Sequence, residues 1–382
     1  MIKFINHSNY ISNHWNWSSK IIYKSIEEFH LEVTKHGFTH VDAPSHMINK
    51  GKSLNDCDLD KLCGWAKIID VSECMMDKPI TRDFLEKKTN NIKKGDIVVL
   101  KSNLNDIYPN NSEKYWKNSP YLEDSGSKFL ISKNIKAIVF DFPQDRAAKD
   151  LQFRVVKNKE FTEHQIVLGA GVMHVEHVIN LNLINSDEFF FFALPIKLPY
   201  ADGGNSTPIS IHNIEKKEYT IIDHSKTLEN DKNFKSYLTL SFEKGDQVQE
   251  TGFSLVGLTH TMFISSNKKA YENMFEKLVI DKFEIVSDIN ELREGNYSTV
   301  FINNEKIDYD LMSKNITDKK IDILCLSSQP SIEHLQMIQK KVDKIFINLE
   351  NINKISYNSK IIFGILKFEN SLVSPVRVVS IS

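Results

Sequence analysis

The chain has 382 residues, with 48 Lys and Arg against 50 Asp and Glu and a formal net charge of −2. Its length suggests two domains, and its balanced charge, with arginines only at Arg82, Arg146, Arg154, Arg293 and Arg377, leaves no basic stripe for a nucleic acid. Cys57, Cys63, Cys74 and Cys325 show no framework spacing and read as free thiols of a cytoplasmic protein, residues 1–6 lack the apolar core of a signal peptide, and the most apolar run, 189–195, is too short to span a membrane.

Residues 2–5 read as a short strand, followed by His7-Ser8-Asn9 and the aromatic segment His14-Trp15-Asn16-Trp17, whose rings suit a core or the wall of a pocket for a flat substrate. Residues 29–33 alternate apolar and polar and lead into His36-Gly37-Phe38-Thr39-His40-Val41-Asp42-Ala43-Pro44-Ser45-His46. Extended backbone places His36, His40, Asp42 and His46 on one face and turns Val41 and Ala43 toward a core. His40 and Asp42 then stand about 6.6 Å apart, within reach of one divalent ion, whereas His36 lies about 13 Å from His40 and reaches it only through a bend, for which Gly37 is the natural place. A helical turn would also join His36 to His40. Gly37, the β-branched Thr39 and Val41, and Pro44 favour a bent strand or loop instead.

Further along, residues 66–71 and 96–100 read as strands, and residues 128–133 as a helix before a strand at 137–140. Thr162 is the expected cap of a short helix that Gly169-Ala170-Gly171 ends. The following run, Val172 to Val178, is largely apolar and carries Glu176, a buried carboxylate that needs a positive partner, for which a metal would serve. The apolar run 189–195 reads as a buried strand.

In order and spacing, His36-x-x-Thr39-His40-x-Asp42-x-Pro44-x-His46 resembles the signature of the metal-dependent cyclase/hydrolase family that includes kynurenine formamidase and isatin hydrolase. That family usually has glycine where this chain has Phe38. Its metal site is completed by a histidine followed twelve residues later by a glutamate, the spacing of His164 and Glu176. His174 and His177 match no family ligand position and read as polar neighbours of the site. Residues 141–145 and 193–197 resemble the family's central turn and closing strand. The resemblance implies that His36, His40, Asp42, His164 and Glu176 hold one or two divalent ions, Zn2+ or Mn2+, and that His46 moves the proton.

The second half repeats landmarks of the first in the same order. His7-Ser8 returns as His224-Ser225, Phe38-Thr39-His40 as Leu258-Thr259-His260, Glu163-His164 as Glu333-His334, and Asn180 near Asn351. At the positions read as matching His36, Asp42, Pro44, His46 and Glu176 stand Val256, Met262, Ile264, Ser266 and Phe346, so the copy has lost its carboxylates although His260 and His334 remain. The expected architecture is α/β: two tandem copies of the family's swivelling β/β/α-like fold packed as a pseudo-dimer. Residues 1–213 form the catalytic domain and 214–382 a degenerate, non-catalytic repeat. The chain would be a monomer with an internal pseudo-dimer, or a homo-oligomer of it. The expected function is hydrolysis of an N-formyl or lactam-like small molecule by metal-activated water, without nucleic-acid or membrane partners. Its rivals are a metal-dependent cyclase or dehydratase of secondary metabolism, and a non-catalytic binding pseudoenzyme.

Overall fold

Two mixed sheets, one in each half of the chain, carry the architecture in a computed structural model that describes residues 3–17, 19–23, 29–89, 91–198, 200–227, 234–237, 252–256, 261–369 and 371–382. The chain divides into two units, Met1–Ser19 with Val33–Lys216 and Ser236–Phe253, and Lys20–Glu32 with Lys217–Lys235 and Ser254–Ser382. No helix among the described residues is long and apolar enough to cross a membrane.

The first sheet contains β1 (Lys3–Asn6), β2 (His40–Asp42), β3 (Cys63–Asp70), β4 (Ile97–Lys101), β5 (Ala137–Phe140), β6 (Met173–Glu176), β7 (Glu188–Phe192), β8 (Gly203–Asn205) and β9 (Ile209–His212), in the order β1-β9-β7-β3-β4-β5-β6-β2-β8. Strands β3 to β6 are parallel. Ile97 to Leu100 and Ala137 to Phe140 are wholly buried, as apolar strands covered on both faces must be. The helices Arg82–Lys88, Asp124–Ser132 and Thr162–Gly169 lie in the connections between these strands. Beyond the parallel core, β2 pairs antiparallel with β6 and with β8, and these two pairings build the site.

The second sheet repeats this plan with β10 (Ile221–Asp223), β11 (Met262–Ser265), β12 (Val279–Ile280), β13 (Glu284–Val286), β14 (Gly295–Ile302), β15 (Lys319–Leu326), β16 (Lys344–Ile347), β17 (Lys360–Ile365) and β18 (Val373–Ile381). Its order is β12-β17-β18-β11-β16-β15-β14-β13, with β10 on β18. Again a parallel run ends on a strand, β16, that pairs antiparallel with β11, and β11 pairs antiparallel with β18.

Hydrogen bonds show how closely the units correspond. His7 joins Ile179 O (2.7 Å) and Ser210 Oγ (2.8 Å), as His224 joins Glu350 O (3.1 Å) and Ser380 Oγ (2.8 Å). Thr39 Oγ1 donates to the carbonyl of His177 (2.9 Å) and accepts from Asn9 N–H (2.8 Å); Thr261 Oγ1 donates to the carbonyl of Asn348 (2.8 Å) and accepts from Lys226 N–H (2.7 Å). Thr39 therefore corresponds to Thr261, not to Thr259, and the repeat's register shifts by two residues. Strand pairing then sets Met262 opposite Ile347 and Ile264 opposite Ile345, where the first unit sets His40 opposite Glu176 and Asp42 opposite His174. The counterpart of Glu176 is Ile347 rather than Phe346, and the counterpart of His40 is Met262. His260 lies outside the described residues.

Three local expectations change. Thr162 is the first helical residue rather than the cap, which is Phe161, and its hydroxyl donates to Asp124 Oδ1 (3.0 Å). Residues 193–197 form no strand; β7 ends at Phe192 and Pro195 makes a single bridge to Ser206. The backbone turns over before β2 at Phe38 (φ 57°), while Gly37 is needed for another reason. A Cβ on Gly37 would stand 2.7 Å from Trp17 Cγ.

Candidate metal centre

Alternation works where the backbone is extended. His40 and Asp42 share a face of β2, and across the ladder His174 and Glu176 share the same face of β6. His36 comes from the turn before β2, and His46 from a single 3-10 turn, Pro44–His46, that opens with its proline. These two histidines join the cluster by folding back, not by continuing the strand's face.

His40 and His164 share one pattern, one ring nitrogen held by a fixed partner and the other facing Asp42 and Glu176, while His36 stands between Asp42 and Asp202. His40 Nδ1–H donates to the Phe38 carbonyl (3.0 Å), leaving Nε2 3.3 Å from Asp42 Oδ1 and 3.6 Å from Glu176 Oε2. His164 Nδ1–H donates to Asp145 Oδ2 (2.9 Å), leaving Nε2 3.2 Å from Glu176 Oε1 and 3.6 Å from Asp42 Oδ2. His36 Nε2 faces Asp202 Oδ2 (3.1 Å), and its Nδ1 lies 2.7 Å from Asp42 Oδ1. Outer partners of this kind orient imidazoles toward a metal and fix their tautomers. Asp42 Oδ2, fully buried, has no hydrogen-bond partner, which fits a carboxylate shaped for a cation.

The site's charges agree. Burial pushes the Asp42 carboxyl up, but His46, His40 and His36 hold it well below the usual range. Burial and the Asp42 charge likewise oppose ionisation of Glu176, and the adjacent imidazoles of His164, His174 and His40 lower it regardless. Burial opposes charging of His36, yet Asp202 and Asp42 raise it to about 9, and His164 is raised well above its ordinary value against the same burial by Asp145, Asp42 and Glu176. Protons on imidazoles thus balance a carboxylate cluster whose charge a divalent ion would balance in their place.

Asp42, His164, His174 and Glu176 form one set whose ligand atoms all lie within 4.8 Å of one another; His36, Asp42 and His46 form a second, sharing Asp42. Asp145, Glu163 and His164 form a third, in which Asp145 serves as the outer partner of His164. Among the described residues every such set lies in the first unit. At the places of His40, Asp42, His174 and Glu176 the second unit has the fully buried Met262, Ile264, Ile345 and Ile347.

His174, read from sequence as a bystander, is fully buried, with Nδ1 3.5 Å from Glu176 Oε1 and Nε2 3.2 Å from Glu163 Oε1. Its i, i+2 spacing to Glu176 was the available signal. Gln144, which donates to Glu176, and Asp202 are further members that no local pattern announced. Asp202 also accepts from the fully buried Lys35 (2.8 Å) and lies 3.5 Å from His46 Nδ1. The neighbouring Gly203 admits no side chain, since a Cβ there would stand 2.5 Å from His36 Cε1.

The cluster lines a cavity of about 150 Å³ whose apolar wall includes Trp17, Met47, Trp116, Leu151 and Phe161. Phe38, at the family's glycine position, takes the left-handed backbone that glycine favours, while its buried ring packs on Trp17 at 5.3 Å. Restoring glycine would relieve about 1–2 kcal/mol of backbone strain but forfeit about 3–5 kcal/mol of aromatic burial. Phe38→Gly is therefore expected to destabilise the protein by about 2 kcal/mol, read as a lower urea midpoint; a raised midpoint would show that strain outweighs packing.

Comparison with known proteins places these features. Residues 6–144 match the family model described as "Putative cyclase". Kynurenine formamidase of Bacillus cytotoxicus is 28% identical over 173 residues, 45% of this chain and 74% of that protein, and the Bacillus anthracis enzyme is 27% identical over 179 residues, 47% and 77% respectively. Among solved structures, a potential metal-dependent hydrolase with cyclase activity aligns with 56% of this chain and all of its own (TM-score 0.45, 20% identity). Isatin hydrolase A from Labrenzia aggregata aligns with 55% of this chain and 93% of its own (TM-score 0.45, 16% identity). The match of the first half, the similar build of the two units and the metal-capable groups found among the described residues of the first are consistent with a tandem duplication of a cyclase-family, metal-hydrolase-like fold.

Proposed function

We propose that this protein is a metal-dependent hydrolase that opens an amide or cyclic amide of a small, flat molecule, with N-formyl and lactam-like compounds as the substrate class. The observation that carries this reading is the convergence of inward-facing nitrogens of His40 and His164, each held from behind, on Asp42 and Glu176, with His36 beside Asp42. These five residues would hold one or two ions, zinc or manganese, from the first half of the chain (1–213), while the second half (214–382) is a non-catalytic copy. A divalent ion there supplies a Lewis acid for the carbonyl and makes water nucleophilic near neutral pH. The aromatic wall takes a planar substrate by burial and stacking. Kynurenine formamidases, the curated relatives, supply the precedent for the amide class.

His46 is assigned the proton transfer. Its ring stacks on His36 at 3.8 Å and lines the cavity. Burial and the neighbouring His36 lower its pKa, which favours the neutral, proton-accepting form of the ring. His46→Ala should keep its metal and lose about a hundredfold or more in kcat. Loss of metal in that variant would make His46 a ligand through the set it forms with His36 and Asp42. The test of the whole reading is metal analysis of the purified chain with a screen of N-formyl arylamines and isatin, before and after chelation. Absence of bound metal, or turnover indifferent to chelation, would sink it.

A further inference from the structure

His177 follows Glu176 directly and stands where the second unit has Asn348: the carbonyls of both accept from the equivalent threonines. Both residues adopt left-handed backbone, φ 53° and 58°. Both residue types are enriched in that conformation, and asparagine serves in the second unit, so the fold alone does not call for an imidazole here. The ring is buried against Trp17 (centroids 4.7 Å), Trp116 (5.7 Å) and His40 (5.9 Å), and it lines the same cavity as the metal-capable cluster.

Its hydrogen bonding fixes what it can offer. Tyr115 Oη lies 3.0 Å from His177 Nδ1 and 3.2 Å from the carbonyl of Asp141. A carbonyl can only accept, so the arrangement that satisfies all three groups runs from Nδ1–H to the tyrosine oxygen and from its O–H to Asp141 O. Nε2 is then a lone-pair nitrogen on the cavity side, with Glu176 Oε2 3.9 Å away, beyond hydrogen-bonding distance.

Resting on the amide-hydrolase reading, we propose that His177 is a substrate-binding residue whose Nε2 accepts a hydrogen bond from the N–H of a secondary amide or N–H lactam. Tyr115 is the positioning residue that holds the ring in this tautomer. The row of rings His46, His36, His40 and His177 then divides the work: proton transfer at one end and recognition of the substrate N–H at the other. An N-methyl analogue lacks the proton and leaves the buried nitrogen unpaired, so discrimination against it is built into the site.

The test compares isatin with N-methylisatin on the full chain loaded with zinc or manganese. It reads both kcat/KM and equilibrium binding, the latter by quenching of the tryptophans that border the cavity. The wild type should favour isatin by about tenfold or more in each measurement. His177→Phe, with metal content unchanged, should bring the ratio close to one, and Tyr115→Phe should reduce it while leaving metal in place. Equal handling of the two compounds by the wild type overturns the proposal, which needs no variant to fold. So does a preference that survives in His177→Phe, and loss of metal from that variant would make His177 a ligand instead. If the loaded wild type hydrolyses no amide, the hydrolase reading fails separately, and the binding ratio still decides whether the N–H is recognised.

Discussion

Asp42→Ala and Glu176→Ala should each bring the metal content of the purified protein to background and lower turnover by about a thousandfold, equivalent to about 4 kcal/mol of transition-state stabilisation. Asp42 faces His36, His40 and His164 within 3.6 Å, so its removal takes away the shared anion of two ligand sets. Glu176 faces His40 across the β2–β6 ladder, His174 on its own strand and His164 on the helix Thr162–Gly169. Glu176→Gln separates charge from packing: it keeps the shape, removes the anion, and should behave as the alanine variant does. No ion should remain elsewhere, because Met262, Ile264, Ile345 and Ile347 occupy the corresponding places in the second unit. Full metal content in Glu176→Ala would move the ion to the set formed by Asp145, Glu163 and His164.

What the sequence disclosed follows from the range of the forces involved. His40 and Asp42 could be placed on one face because alternation is a property of extended backbone, and those residues are extended. His36 needs the bend expected before the strand, which is there as a turn, whereas alternation does not carry to His46, since a 3-10 turn follows the strand. His164 and Glu176 were found through family spacing, whereas Asp202, Gln144 and Lys35 reach the site through tertiary packing that no periodicity encodes. The register of the repeat was misjudged for a local reason. Thr259-His260-Thr261 offers two threonines, and the one beside a histidine looks like Thr39-His40. The threonine that ties the strand to its neighbour is Thr261, a relation visible only in hydrogen bonds.

The corrected register shows what the second unit carries on the same ladder in place of imidazoles and carboxylates. Ile264, the counterpart of Asp42, is fully buried with Ile345 opposite it on one side and Val373 on the other. Ile264→Asp puts a carboxyl into that apolar setting with no cation across either ladder, and should destabilise the protein by at least about 4 kcal/mol. The deficit should depend on pH with a definite sign. A carboxyl buried without a partner has its folded-state pKa raised above the unfolded value of about 3.9. The penalty for ionisation is therefore full above the folded-state pKa and shrinks as pH falls through it toward 3.9, leaving the loss of the isoleucine side chain itself. Asp42→Ile, measured without metal, should cost much less. It removes a buried anion whose imidazole neighbours can release their protons, and exchanging buried charge for apolar bulk is often neutral or better. The measurement is the first thermal transition of each full-length variant in chelator, at neutral pH and near pH 4, since two units need not melt together. Equal losses for the two variants would mean that the second unit retains a polar site at this position, and that its isoleucines are not what closed it.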